Sequence, residues 1–119
     1  MNKTEILDTK LYIPETDGVR TIAQGDYIDK TESEVRGSGY VIESLEAALW
    51  CFANTDSFNE AVLTAANLGD DADTTAAITG QIAGTYYGIN NINKHWREQL
   101  TMIDEILELA DRLNRSSDA

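Results

Sequence analysis

The sequence contains one cysteine, one histidine and one proline, and it has no long apolar run. A single cysteine, Cys51, excludes an internal disulfide and agrees with a reducing compartment. No stretch approaches the roughly 18 apolar residues that a membrane span requires, and the first residues lack the apolar run of a signal peptide. We therefore expect a cytoplasmic protein that makes no use of a membrane.

Positive charge is also scarce. The chain has 21 acidic residues against 9 basic ones, for a formal net charge of −12. Such a surface repels phosphate backbones and anionic lipids, so nucleic acid is a poor candidate partner. The stretch Ser38–Asn93 contains seven acidic residues and no Lys or Arg. Any carboxylate buried within it would need a metal ion, backbone donors or a cation from elsewhere.

The chain of 119 residues is long enough to form one small globular domain. Apolar residues recur at helical spacing after residue 38, and nothing alternates with period two for long enough to form a sheet. The predicted class is all-α, a small helical bundle. Residues 1–37, interrupted by turn-forming residues around Pro14, are predicted to be weakly structured, and Gly37-Ser38-Gly39 marks the boundary to a helical domain at 38–119.

Four helices are predicted in that domain. The first runs from Tyr40 to about Asn54 and the second from about Phe58 to Asn67, where Ser57 and Glu60 have the spacing of a capping box. A third runs from about Thr74 to Tyr87, stopped by Gly88. The last runs from roughly His95 to Asn114.

A stripe of small residues follows one face of the third helix. Gly80, Gly84 and Gly88 are spaced by four, after Ala76. An interior glycine costs a helix about 1 kcal/mol relative to alanine, so we expect the close approach of another backbone or a ligand to offset it. The stripe also suggests a surface for self-association.

Two carboxylates and a hydroxyl, those of Asp71, Asp73 and Thr74, lie where a turn meets the third helix. All are hard oxygen donors, which suit Mg²⁺, Mn²⁺ or Ca²⁺. Asp and Thr are also ordinary helix-capping residues, so capping is the alternative interpretation. An EF-hand is excluded, because Ala76 and Ile82 stand where its glycine and glutamate would be required.

Two runs carry a family resemblance. They are GSGYVIESLEAALW at 37–50 and NLGDDADTTAAITGQIAGTYYG at 67–88. Together they resemble the C-terminal part of the ADP-ribosylglycohydrolase family. The likeness continues through Ile92 and Trp96 and covers about two-thirds of the chain.

The resemblance implies an all-α fold and hydrolysis of the glycosidic bond between ADP-ribose and a modified protein side chain, with two Mg²⁺ or Mn²⁺ ions. It implies that Asp71, Asp73 and Thr74 are metal ligands, that Asp70 supports them, and that Gly39 and Tyr40 lie near the ADP-ribose pocket. No catalytic residue is assigned.

The chain departs from the family in its N-terminal part. Members carry a threonine, aspartate, aspartate, threonine run there, and Thr16-Asp17-Gly18 is only an echo of it, without the second aspartate or a predicted helix. Two hypotheses follow: a hydrolase subunit whose missing half-site comes from a second chain or a second copy, or an inactive truncated module that binds itself or a partner.

Overall fold

A computed structural model describes residues 2–8, 16–35, 40–69 and 71–117, with the side chain of Ser117 left aside. The turn around Pro14, the boundary at Gly37-Ser38-Gly39 and the acidic residue Asp70 lie outside these ranges. Within them every regular element is helical, which confirms the all-α class. None of the helices in these ranges is long and apolar enough to cross a membrane.

Seven α-helices follow one another along the described chain: α1 (Lys3–Ile6), α2 (Asp17–Ala23), α3 (Val41–Ala53), α4 (Phe58–Ala66), α5 (Ala72–Tyr87), α6 (Lys94–Gln99) and α7 (Ile103–Ser117). Short 3₁₀ turns lie at Asp26–Asp29, Glu32–Glu34 and Ile89–Asn91. The bounds of α3, α4 and α5 agree with those predicted from the sequence.

Helices α3, α4 and α5 form the centre of the fold and pack against one another. The connections between them are short, so each helix runs antiparallel to the next and α3 runs parallel to α5. The last turns of α3 and α5 meet where Phe52 contacts Tyr86, with ring centroids 5.3 Å apart. The N-termini of α3 and α5, at Tyr40 and Asp71, consequently lie at the same end of the bundle.

The spacing of Val41, Leu45, Ala48, Leu49 and Phe52 in the sequence predicts that they share one buried face of α3, and this is confirmed with one exception. Ala48 and Phe52 are fully buried, and Leu45 and Leu49 are half-buried. Val41 is 74% exposed, so its assignment to the buried face is wrong. The helix begins at Val41, and the core contacts begin one turn later, at Ser44.

The capping box of α4 forms only in part. The Ser57 hydroxyl accepts a hydrogen bond from the backbone N–H of Glu60 at 3.1 Å, as predicted. The Glu60 carboxylate reaches the backbone N–H of Asp56 rather than that of Ser57, at 3.1 Å. Both contacts still satisfy N–H groups that lie outside the helical ladder.

The N-terminal part contributes side chains to the core. Ile22, Tyr27 and Val35 are buried in one cluster with residues of α3. The indole Nε1 of Trp50 donates to the carbonyl oxygen of Lys30 at 2.8 Å. These contacts hold residues 16–35 against the outer face of α3.

The last predicted helix is two helices, so the prediction of one continuous helix from about His95 to Asn114 is wrong. It breaks between α6 and α7, where Met102 has a φ of 61°. The turn brings Leu100, Ile103 and Leu107 to one apolar groove with Trp96 and Phe58. Because a bent and a straight arrangement both place these apolar residues on one side, their spacing could not reveal the break.

The glycine stripe faces α4 of the same chain. A Cβ placed on Gly84 would lie 3.7 Å from Cε2 of Phe58, and one on Gly80 would lie 4.0 Å from Cγ2 of Val62. Both are ordinary contact distances to side-chain atoms, so α4 is the neighbour of these two glycines, but the close backbone approach predicted for the stripe is not found at them. Self-association stays a prediction, but these two glycines are not its basis.

Candidate metal site at the start of α5

Asp71 is the residue that precedes the first turn of α5. Its side chain makes no capping hydrogen bond to the helix, while its carbonyl oxygen accepts the backbone N–H of Thr75 at 3.1 Å. The hydroxyl of Thr75 also donates to that carbonyl oxygen, at 3.3 Å. The backbone of Asp71 therefore serves the helix and its carboxylate does not. This argues against capping as the reason for a carboxylate at this position.

The Asp71 carboxyl group instead faces Asp73. The side-chain hydrogen bond between them is the main cause that lowers the pKa of Asp73 below its usual value, and the backbone N–H groups of Thr74 and Asp73 contribute further. Oδ1 of Asp73 accepts the N–H of Thr74 at 3.0 Å. Two carboxyl groups in contact repel each other once both are ionised, unless a cation lies between them.

No cation in the described chain neutralises this pair. The ion pairs among the described residues join Arg20 to Asp17, Lys30 to Glu46, and Lys94 to Glu98. Asp73 and Thr74 are exposed and Asp71 is half-buried, so the oxygen donors are open to solvent. The arrangement presents two carboxylates and one hydroxyl on the rim of the first turn of α5.

The side-chain donors are of the type that a hard divalent cation prefers, but they are too few to fill its coordination shell. All the side-chain donors are oxygens, as Mg²⁺ and Mn²⁺ prefer, and Mg²⁺ takes about six ligands in near-octahedral geometry. Within the described ranges no group of three Asp, Glu, His or Cys side chains converges as a complete cation site would require. Asp71, Asp73 and Thr74 offer three oxygen donors, which is fewer than a complete coordination shell requires.

Of the two residues predicted to lie near the ADP-ribose pocket, the structure describes one. Tyr40 caps the start of α3 and is 63% exposed. It lies at the same end of the bundle as Asp71, for the reason given above. Gly39 lies outside the described residues, and its role stays a prediction.

The segment Thr16-Asp17-Gly18, which partly resembles the N-terminal motif of the family, lies at this end of the bundle as well. Gly18 packs against Ile42 in the first turn of α3, where an added Cβ would lie 3.2 Å from Cγ1. The sequence predicted no helix after Thr16, and that was wrong: Thr16 accepts the N–H of Val19 and α2 begins at Asp17. Asp17 already pairs with Arg20 at 3.0 Å.

Comparisons with known proteins connect this geometry to a family. A family-wide sequence profile, ADP-ribosylglycohydrolase, matches residues 4–119, which is nearly the whole chain. The chain belongs to the ADP-ribosylglycohydrolase family. A solved structure described as an ADP-ribosylglycohydrolase-related protein complex superposes with a TM-score of 0.79 at 34% identity, over 92% of this chain and 38% of that one.

Two curated relatives are considerably longer than this chain. The ADP-ribosylarginine hydrolase Tri1 of Serratia proteamaculans (strain 568) is 54% identical over 95 residues, which cover 80% of this chain and 26% of the relative. An ADP-ribosyl-[dinitrogen reductase] glycohydrolase of Rhodospirillum rubrum is 32% identical over 84 residues, or 63% of this chain and 29% of the relative. The chain spans about a quarter of the length of these relatives.

Three side chains considered in the sequence lie away from the candidate site. Cys51 is fully buried, and burial, together with the charge of Glu32, raises the pKa of its thiol to about 12, which excludes a reactive thiolate. His95 is exposed at the start of α6. Tyr87 packs with Phe52 at the far end of α5.

Sequence reasoning missed one contact at that far end. The ammonium group of Lys3 lies among the rings of Phe52, Tyr86 and Tyr87. A pairing across about fifty positions leaves no local signal in the sequence. The paired aromatic residues at 86 and 87 were the only hint of a cluster there.

Proposed function

We propose that this chain supplies the C-terminal part of an ADP-ribosylglycohydrolase active site, in which Asp71, Asp73 and Thr74 bind Mg²⁺ or Mn²⁺. The observation that carries the proposal is the unused carboxylate of Asp71. It precedes a helix without capping it, and its proximity lowers the pKa of a second carboxyl group, that of Asp73. Family membership supplies the reaction: hydrolysis of the glycosidic bond that joins ADP-ribose to a modified protein side chain.

The similarity to Tri1 favours an ADP-ribosylated arginine as the substrate. In the complete site two ions would supply charge stabilisation and orient water for the hydrolysis. The chain's own residues have a narrower task. Asp71 and Asp73 would hold cations at the end of the bundle where Tyr40 is exposed, and Tyr40, with Gly39, would contact the ADP-ribose.

According to this proposal, the site becomes active only when further polypeptide completes it. Three oxygen-bearing side chains leave a coordination shell incomplete, and the chain spans 38% of the solved relative with the same fold. Large apolar side chains are also exposed on α7, among them Leu109 at 55% and Leu113 at 73%. An exposed apolar face of this kind is typical of a contact surface. We propose that a second chain carrying the remainder of the family fold, or a second copy of this one, completes the site, in the cytoplasm.

The ligand assignment can be tested by titrating Mn²⁺ into the purified chain and following the heat and the thermal midpoint. We expect weak binding that Asp71→Asn and Asp73→Asn each reduce at least tenfold. Asp56→Asn is the matched control, since Asp56 is exposed in the α3–α4 connection, at the other end of the bundle. Equal titrations of all four proteins would refute the assignment.

The need for a second chain is tested separately, by release of ADP-ribose from an arginine-modified protein. We expect no release by this chain alone and release after addition of a polypeptide that carries the rest of the family fold. Release by the chain alone would overturn the requirement for a partner. No release in either case, with the two polypeptides bound to each other, would favour the alternative function: an inactive module that binds a partner.

A further inference from the structure

The side chain of Lys3 reaches the C-terminal end of α3. Its Nζ donates to the carbonyl oxygen of Phe52 at 2.6 Å and to that of Thr55 at 2.5 Å. The first of these carbonyls lies in the last turn of a helix, where carbonyl groups lack partners within the helix. A cation is favoured at that position by the helix dipole as well.

Three aromatic rings surround the same ammonium group. Nζ lies 4.5 Å from the ring centroid of Phe52, 5.1 Å from that of Tyr87 and 5.8 Å from that of Tyr86. All three are within the range of about 6 Å at which a ring face attracts a cation. We call these three rings, with the carbonyl oxygens of Phe52 and Thr55, the ammonium cage.

The rings of the ammonium cage also contact one another, with centroids 5.0 Å apart for Tyr86 and Tyr87 and 5.3 Å for Phe52 and Tyr86. Among the described residues no carboxylate pairs with Lys3. Within the described chain, the contacts of the Lys3 ammonium are thus with ring faces and carbonyl oxygens.

Apart from those of Lys3, the helix α1 makes few contacts with the rest of the described chain. None of the residues of α1 is buried. Leu7, just beyond α1, packs against the cluster of Phe52 and Phe58, and Ile6 lies at the edge of a groove of about 850 Å³ that Tyr86 and Tyr87 also line. A second groove, of about 410 Å³, borders Lys3 and Leu7. The segment fills only part of the space available beside the cage.

We propose that the ammonium cage is a receptor for lysine side chains, that Lys3 is its resident occupant, and that a lysine-bearing segment of a partner protein takes the cage when α1 is displaced. The resident segment defines the pattern to be recognised. Lys3, Ile6 and Leu7 lie at i, i+3 and i+4, on one face of a helical turn. The partner segment carries a lysine followed at the same spacing by two aliphatic residues. The cage lies at the C-terminal end of α5, so this inference is independent of the metal site at its other end.

The first test uses n-butylammonium as the probe and the thermal midpoint as the readout. Lys3→Ala empties the cage, whereas Lys3→Met removes the charge but fills the space with a side chain of similar length. We expect each substitution to lower the midpoint by about 5 °C, the shift that roughly 1 kcal/mol produces in a domain of this size. Added n-butylammonium should restore at least half of that loss in Lys3→Ala only.

Tetramethylammonium at the same concentration is the control, since it has no N–H group for the two carbonyl oxygens and should restore less. Equal responses of the wild type, Lys3→Ala and Lys3→Met to n-butylammonium would overturn the proposal, because they would show that an empty cage binds no ammonium.

The second test uses the wild-type chain and does not depend on the folding of a variant. The chain is labelled uniformly with ¹³C, and the ε-methylene resonance of Lys3 is expected upfield of those of Lys30 and Lys94, because its ammonium lies over ring faces. A peptide with the sequence of residues 2–8 should move that resonance toward the position of the exposed lysines. A Lys3 resonance that is not shifted upfield, or that does not respond to the peptide, would contradict the proposal.

Discussion

Phe52 in the last turn of α3 meets Tyr86 in the last turn of α5 edge to face, with ring centroids 5.3 Å apart. Since the two helices run parallel, this contact at one end of the bundle fixes which residues share the other end. Tyr40 and Asp71 lie there, at the starts of α3 and α5. The alignment of α3 with α5 at this aromatic pair thus determines that Tyr40 and Asp71 lie at the same end of the bundle.

The first prediction separates a metal-binding carboxylate from a capping one. Without metal, Asp71→Asn should change the free energy of unfolding by less than about 0.5 kcal/mol, because the Asp71 side chain makes no capping bond. Ser57→Ala should cost about 1 kcal/mol, because the Ser57 hydroxyl accepts the N–H of Glu60. Urea denaturation in a chelating buffer measures both. A loss in Asp71→Asn as large as that in Ser57→Ala would favour the capping interpretation.

The second prediction concerns the glycine stripe. Gly84→Ala should stabilise the protein by roughly 0.5–1 kcal/mol, since the new Cβ would lie at an ordinary contact distance, 3.7 Å, from Phe58 within a regular helix. Gly88→Ala should destabilise it, because Gly88 has a φ of 83°. Both changes are measured by thermal unfolding. Destabilisation by Gly84→Ala would mean that the stripe needs a closer neighbour than α4.

The sequence was sufficient to predict the elements with strong local signals. The end of α5 at Gly88 and the start of α4 after Ser57 depend on residues within one turn, and both are confirmed. The acidic cluster at Asp71 and Asp73 was visible for the same reason, because its members are neighbours in the sequence.

Features that depend on distant residues could not be predicted. The contact between Lys3 and Phe52 and the identity of the neighbour of Gly84 are set by how the helices pack. The break at Met102 also gave no signal, since nothing in its side chain favours a positive φ. Propensity and spacing describe single elements, whereas these three features belong to the assembled fold.

The third prediction addresses that break. Met102 is 63% exposed and has a φ of 61°, a region that residues with a Cβ occupy at a cost of roughly 1–2 kcal/mol. Met102→Gly should therefore leave the stability unchanged or raise it by up to about 1 kcal/mol. Met102→Val should lower it, because a β-branched residue tolerates a positive φ least. If urea denaturation gave the opposite order, a continuous helix through this position would be indicated.

The fourth prediction is a dependence on pH. The pKa of Cys51 is raised to about 12 by burial first and by the charge of Glu32 second, so the folded state holds the thiol proton more tightly than the unfolded chain does. The stability contributed by the neutral thiol is complete below the unfolded pKa, near 9, and is lost as the pH rises from there toward 12. Stability should therefore fall above pH 9.

Tyr27, whose pKa is raised by burial and by Glu46, also titrates at high pH, so the wild type must be compared with Cys51→Ala at each pH. The variant should be less stable at pH 7 because of the cavity, but should lose less stability between pH 9 and pH 11. Parallel profiles of stability against pH for the two proteins would contradict the prediction. They would show that the thiol ionises to the same extent in the folded and the unfolded chain.

The last prediction tests whether α7 presents a contact surface. Leu113 is 73% exposed and Leu109 is 55% exposed on this helix, whereas Ala110 between them offers little apolar area. Leu113→Gln should leave the free energy of unfolding of a monomer within about 0.5 kcal/mol of the wild type, since little burial is lost. It should reduce any concentration-dependent rise in mass seen by light scattering, and it should weaken binding of a polypeptide that carries the rest of the family fold. Arg112→Gln is the matched control, because Arg112 is an exposed neighbour on the same turn. Similar association of both variants and the wild type would place the contact surface elsewhere on the chain.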